Sequence, residues 1–151
     1  MFGYNPEVAS PDFEGCIPIL PVEDLAKSVE YYVGVLGFEL DWHDPGVIAS
    51  VSRGRCGLFL VEHDQGHPGT WVYVGVPDAE SVYKEYVARS AIIRQPATNF
   101  DWGCEVQVSD LDGNVLRMGS DRIPGKPDGP WLDMRGDRWL RTSEGWHRDS
   151  H

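Results

Sequence analysis

The sequence predicts an α+β fold built from two βαβββ modules within one domain over residues 1–151, with a C-terminal extension. Three observations predict it. The order strand, helix, three strands can be read over residues 17–62 and again over 70–119. Each predicted helix begins at an aspartate and carries one apolar face. A chain of 151 residues suits a single shared core better than two separate ones.

The first module opens with Ile17-Pro18-Ile19-Leu20-Pro21-Val22, a short apolar run whose prolines suit an edge or irregular strand. Asp24 is placed to cap a helix in which Leu25, Val29, Tyr32, Val33 and Leu36 recur at three- and four-residue spacing until Gly37 stops it. Three strand-length runs follow, Phe38 to His43, Val47 to Ser52 and Gly57 to Glu62. The turns Asp44-Pro45-Gly46 and Arg53-Gly54-Arg55 separate them into a meander.

The second module restarts after the loop Gln65-Gly66-His67-Pro68-Gly69 with Thr70 to Val76, rich in β-branched and aromatic residues. Asp78 caps a helix whose Val82, Tyr83, Tyr86 and Val87 share a face. Ile92 and Ile93 begin a weaker strand, Gly103 to Ser109 an alternating one, and Asn114 to Gly119 a last one after the turn Asp110-Leu111-Asp112-Gly113. Residues 121–151 form the extension, with the run Pro124-Gly125-Lys126-Pro127-Asp128-Gly129-Pro130 followed by Trp131, Trp139 and Trp146. Indole rings are costly to leave in water, so the tail lies against the core or a second chain, or else it is a mobile terminus.

Hydrophobic residues at 41% and charged residues at 25% describe a globular chain. A formal charge of −11 repels nucleic acid and anionic membrane surfaces and makes cationic ligands the natural partners, although acidity also serves solubility alone. The stretch Met1 to Glu7 lacks a basic region followed by an apolar run, and no apolar run reaches membrane-helix length, so a cytoplasmic location is expected. Cys16, Cys56 and Cys104 are an odd number without CxxC spacing, and are read as reduced and mostly buried.

Two segments resemble the vicinal-oxygen-chelate superfamily of glyoxalases, bleomycin-resistance proteins and extradiol dioxygenases. The first is Leu20-Pro21-Val22-Glu23-Asp24-Leu25 with Tyr31-Tyr32 and Leu36-Gly37-Phe38; the second is Asp110-Leu111-Asp112-Gly113-Asn114, which by itself is only a hairpin turn. The resemblance implies two βαβββ modules in curved mixed sheets. It also implies, for the enzymes, a divalent metal held by His or carboxylate side chains from the first and fourth strands of each half. Counted from Asp24, Asp78 and Gly113-Asn114, those positions hold Ile17, Trp71 and Arg117, with only Glu62 near the remaining one. One carboxylate beside an arginine is no catalytic metal site, so no metal, no other cofactor and no catalytic residue is expected. His63 and His67, with Glu62 and Asp64, form the densest histidine cluster, but Gly66 and Pro68 make it a solvated loop.

The bleomycin-resistance branch resembles the chain further in Asp41-Trp42, in Trp71-Val72-Tyr73-Val74 and in Trp102-Gly103. That resemblance implies a homodimer with grooves in which Trp42, Trp71 and Trp102 stack on a planar compound while acidic residues, Asp41, Glu62 and Asp101 first, attract its positive charge. For any one of these tryptophans an ordinary core position is the plain alternative. The expected function is a non-catalytic binding protein that sequesters a planar cationic small molecule such as a bleomycin-type glycopeptide antibiotic. The alternative is a metal-dependent lyase, isomerase or dioxygenase of the same superfamily, or acid–base chemistry by Glu62 with His43. A third is a dimeric scaffold whose tail binds another protein.

Overall fold

The computed structural model describes residues 11 and 13–149. The stretch Met1 to Glu7, considered above, lies outside the described residues. The first module contains β1 (Ile19–Val22), α1 (Leu25–Gly34), β2 (Glu39–Asp44), β3 (Ile48–Arg53) and β4 (Cys56–Glu62). The second contains β5 (Trp71–Gly75), α2 (Ala79–Ala88), β6 (Ile92–Phe100), β7 (Gly103–Ser109) and β8 (Val115–Ser120). Each forms a four-stranded mixed sheet, in the orders β1-β4-β3-β2 and β5-β8-β7-β6, with its first and fourth strands parallel. The expected two-module architecture is therefore present. The extension is a third sheet, an antiparallel meander of β9 (Trp131–Leu132), β10 (Arg138–Thr142) and β11 (Gly145–Arg148).

Alternation along the strands puts one set of side chains under each helix. Leu20, Val51, Leu58 and Leu60 of the first sheet and Val106, Val108 and Leu116 of the second are fully buried with Tyr32 and Tyr86 of the helices. Asp24 Oδ1 accepts from Lys27 N at 3.0 Å and Asp78 Oδ1 from Glu80 N at 3.0 Å, so both expected caps are in place. The helix α1 ends at Gly34, earlier than its apolar spacing suggested, and Gly37 at φ 76° turns the chain into β2. The strand β6 is longer than its sequence signal because Pro96 and two register shifts break its alternation.

The Asp-x-Asp-Gly-Asn turn does more than reverse the chain. Buried Asn114 donates to Pro21 O (3.0 Å) and Asp110 Oδ2 (2.9 Å) and accepts from Thr70 N (3.0 Å), tying β1 to the start of β5 and β8. Asp110 also accepts from Tyr32 O–H and from the backbone of Asp112 and Asn114. Burial pushes its carboxyl above the ordinary range, against the lowering effect of those hydrogen bonds. Tyr31, the other half of the aromatic pair, donates to Ser109 O and accepts from Ile92 N. Thus both resembling segments are parts of one intermodule clamp. No helix among the described residues is long and apolar enough to cross a membrane.

Candidate binding site

The face of each sheet turned away from its helix carries the chemistry. Across the first sheet the partnered residues Ile19, Phe59, Ser50 and Trp42 form one row. Across the second, Tyr73, Arg117, Gln107 and Gln95 form the corresponding row. The first row is open, with Ile19 38% and Trp42 49% exposed and Trp42 set against Phe59 at 5.5 Å. The second is overlaid by the meander except at Tyr73, which is 60% exposed.

Side chains of β6 fasten that overlay. Arg94 donates to Gln107 Oε1 and to the carbonyls of Leu132 and Asp133. Gln95 exchanges hydrogen bonds with Pro130 O and Leu132 N, and Asn99 holds Ile123 and Lys126. Within the meander, Trp139 is partnered with Trp131 and Arg141 with Trp146, so strand alternation puts all four on one face. That face meets Trp102, from the turn between β6 and β7. Trp102 stacks on Phe100 at 4.7 Å and lies 6.4 Å from Trp131 and 6.1 Å from Trp146. The result is a pocket of about 440 Å³ lined by Trp102, Trp131, Trp139, Trp146, Arg117 and Asp133.

Its polar groups are held by one another. Glu105, only 2% exposed, accepts from Arg117 Nε at 2.7 Å, from Arg117 Nη2 at 3.1 Å and from Trp102 Nε1 at 2.9 Å. Arg117 in turn lies over Trp131 and Tyr73 at 5.0 and 5.6 Å. Asp133 accepts from Trp139 Nε1 at 2.9 Å, and that hydrogen bond, with backbone ones, holds its carboxyl below the ordinary range.

The expected site residues fall into different surroundings. Trp102 belongs to the pocket. Trp42 stands on the first sheet, and Trp71 is covered by the Arg94 guanidinium at 4.7 Å beside a separate cavity; no ring contact joins these three. Asp41 accepts from Ser50 and Ser52 on the first sheet, and Asp101 pairs with Arg141 at 3.5 Å in a neighbouring cavity. Glu62 accepts from Leu25 N at 2.9 Å, capping α1 as Ser120 Oγ caps α2 through Ala79 N. It is therefore turned toward the helix. The fourth-strand position matching Arg117 is Phe59, and the first-strand positions opposite Phe59 and Arg117 are Ile19 and Tyr73, two residues on from Ile17 and Trp71. Such a set does not fit a divalent cation, and among the described residues no three His, Cys, Asp or Glu side chains cluster to hold one. Burial raises the thiols of Cys56 and Cys104, as expected of inert cysteines, whereas Cys16 is exposed and not buried.

A model of glyoxalase superfamily proteins matches residues 6–125. The chain belongs to that superfamily. Its structure is similar to the bleomycin-binding protein of bleomycin-producing Streptomyces verticillus in complex with copper(II)-bleomycin, with a TM-score of 0.63 at 25% identity over 75% of this chain and 100% of that one. It is also similar in fold to the bleomycin resistance determinant of transposon Tn5, with a TM-score of 0.62 at 20% identity over 74% of this chain and 100% of that one. A third similar fold is TnmS3, an antibiotic binding protein from Streptomyces sp. CB03234, with a TM-score of 0.57 at 23% identity over 71% of this chain and 96% of that one. No curated protein sequence matches the chain. The meander lies beyond residue 125, outside the family match.

The sequence marked the tail tryptophans as rings needing cover but not as site residues. Arg117 was read only as a poor metal ligand. The missing signal was two-residue alternation in 138–142, which is short and polar enough to pass for a loop.

Proposed function

We propose that this chain is a non-catalytic binding protein that sequesters a planar, cationic small molecule, with a bleomycin-type glycopeptide as the model ligand. The observation that carries this reading is the pocket that Trp102, backed by Phe100, shares with three further indoles and Asp133. Such a site offers stacking area and charge complementarity, yet it contains no nucleophile paired with a base. The similarity to a protein crystallised with copper(II)-bleomycin agrees with it.

The reading extends to a homodimer in the cytoplasm. The open row Ile19, Phe59 and Trp42 is an apolar sheet face of the kind that pairs with a second copy. Titration calorimetry of the chain with metal-free bleomycin tests the function. Binding should be stoichiometric, should weaken as salt rises, and should lose about 1–3 kcal/mol in Trp102→Ala. No heat at high micromolar ligand removes the drug-binding reading, and stoichiometric Zn, Fe, Mn or Ni in the purified chain replaces it with an enzymatic one.

A further inference from the structure

The pocket is open to solvent, and four of its lining residues, Trp131, Asp133, Trp139 and Trp146, lie outside the family match. Its rings are held from behind. Phe100 lies nearly parallel to Trp102, at 8°, and the Arg141 guanidinium lies over Trp146 at 5.7 Å. Phe100 and Arg141 line the neighbouring cavity and not this pocket, which leaves the opposite faces of Trp102 and Trp146 for a ligand. Rings fixed in this way lose little freedom when something slides between them.

The charges point the same way. Trp102 and Trp139 each give their indole N–H to a carboxylate, Glu105 and Asp133. An N–H donated to an anion leaves its ring richer in electrons, and an electron-rich face attracts a cationic ring. Arg117 is offset by Glu105 and Arg141 by Asp101, whereas Asp133 is met by Trp139 and by the backbone N–H groups of Arg135 and Asp137. The pocket lining therefore holds two charges, Arg117, which Glu105 neutralises, and Asp133, which also feels the charges of Arg94 and Arg135. Its volume of about 440 Å³ lies toward the lower end of ligand pockets, which run to roughly 300–1,000 Å³.

Resting on the binding-protein reading above, we propose that the meander makes this pocket a box for a compact heteroaromatic cation of two or three fused rings, too small to enclose a whole glycopeptide. Trp131, Trp139 and Trp146 are its walls, and Asp133 supplies the charge preference.

The test uses the full chain with N-methylpyridinium, N-methylquinolinium, N-methylacridinium, neutral acridine at alkaline pH, and bleomycin, titrated by calorimetry. Affinity should rise along the cationic series and be higher for N-methylacridinium than for bleomycin. Trp146→Ala and Trp139→Ala should each weaken N-methylacridinium about tenfold or more, the share of one stacked ring. Trp146→Phe, which keeps a packed ring, should fall between. Asp133→Asn should weaken the cation several-fold more than it weakens acridine. Val87→Ala, exposed on α2, should change none of these. The box is overturned if bleomycin binds more tightly than N-methylacridinium, or if the meander variants, folded by circular dichroism, bind as wild type. Bleomycin binding that weakens only in Trp42→Ala overturns the box and leaves the broader reading standing; absence of binding by every probe overturns both.

Discussion

Asn114→Ala removes three hydrogen bonds at once from a position with no solvent access. The carbonyl of Pro21 keeps a weaker claim on stability, because its second lone pair remains free to find a partner. Asp110 Oδ2 retains Tyr32 O–H. Thr70 N–H loses its acceptor outright, and because that donor is only partly buried its loss lies toward the lower end of the roughly 1–3 kcal/mol that a buried orphan costs. With the two further losses the variant should be destabilised by about 3–5 kcal/mol, a large part of the roughly 5–15 kcal/mol that holds a domain folded. Urea unfolding followed by far-UV circular dichroism should show the midpoint falling with the slope unchanged. A loss below about 1 kcal/mol would refute the clamp as an energetic element. The Asn114→Asp variant adds a sign. It keeps the acceptor for Thr70 but sets a second carboxylate beside Asp110, whose own carboxyl burial already raises. A raised folded value favours the fold below the unfolded pKa and is lost as pH rises, so this variant should recover stability as the pH is lowered from 7 toward about 4.

Acid should loosen the meander. Asp133 titrates below its ordinary range, so its contribution is present above about pH 4 and is lost as pH falls through the depressed value, and tryptophan emission should shift there and not near neutrality. The Arg53–Glu85 pair between the modules, with side chains 40% and 32% exposed, should show a coupling of at most about 1 kcal/mol in a double-mutant cycle, despite holding Glu85 below and Arg53 above their ordinary ranges. That coupling should fade as acid protonates Glu85. Trp42→Asp should turn a light-scattering dimer into a monomer, and a wild-type monomer at micromolar concentration would refute the pairing.

Most of the fold was legible because its signals are local. Asp24 and Asp78 cap helices through side chains that reach only two or three residues ahead, and strand alternation in 103–109 shows in the sequence itself. The long β6 was legible only at Ile92 and Ile93, since its later residues, Arg94, Gln95 and Asn99, face the extension and serve it with polar side chains. A strand that binds a neighbouring segment through its side chains does not alternate apolar with polar. The meander was hidden for the same reason: its stability comes from rings laid on another sheet and not from its own composition.

The site was less legible because it depends on register, and a count of residues cannot see which way a strand is turned. Counting from Asp24 and Asp78 selects Ile17 and Trp71; pairing sets Trp71 beside Val115 and leaves Ile17 before β1, while the residues beside Phe59 and Arg117 are Ile19 and Tyr73. Glu62, one side-chain alternation away from that face, is used to hold the N-terminus of α1 instead. Once the rows are aligned, the modules differ in one telling respect. The second row is polar, Tyr73, Arg117, Gln107 and Gln95; Glu105 meets the charge of Arg117, Pro130 O meets Gln95 and Arg94 meets Gln107 Oε1, while Gln107 Nε2 is buried without a partner. The first row is apolar at three of its four places, and among the described residues no second meander covers it. A polar face needs directed partners, which a tethered segment can supply residue by residue. An apolar face needs only area, which a second copy of the same chain can supply without any tether.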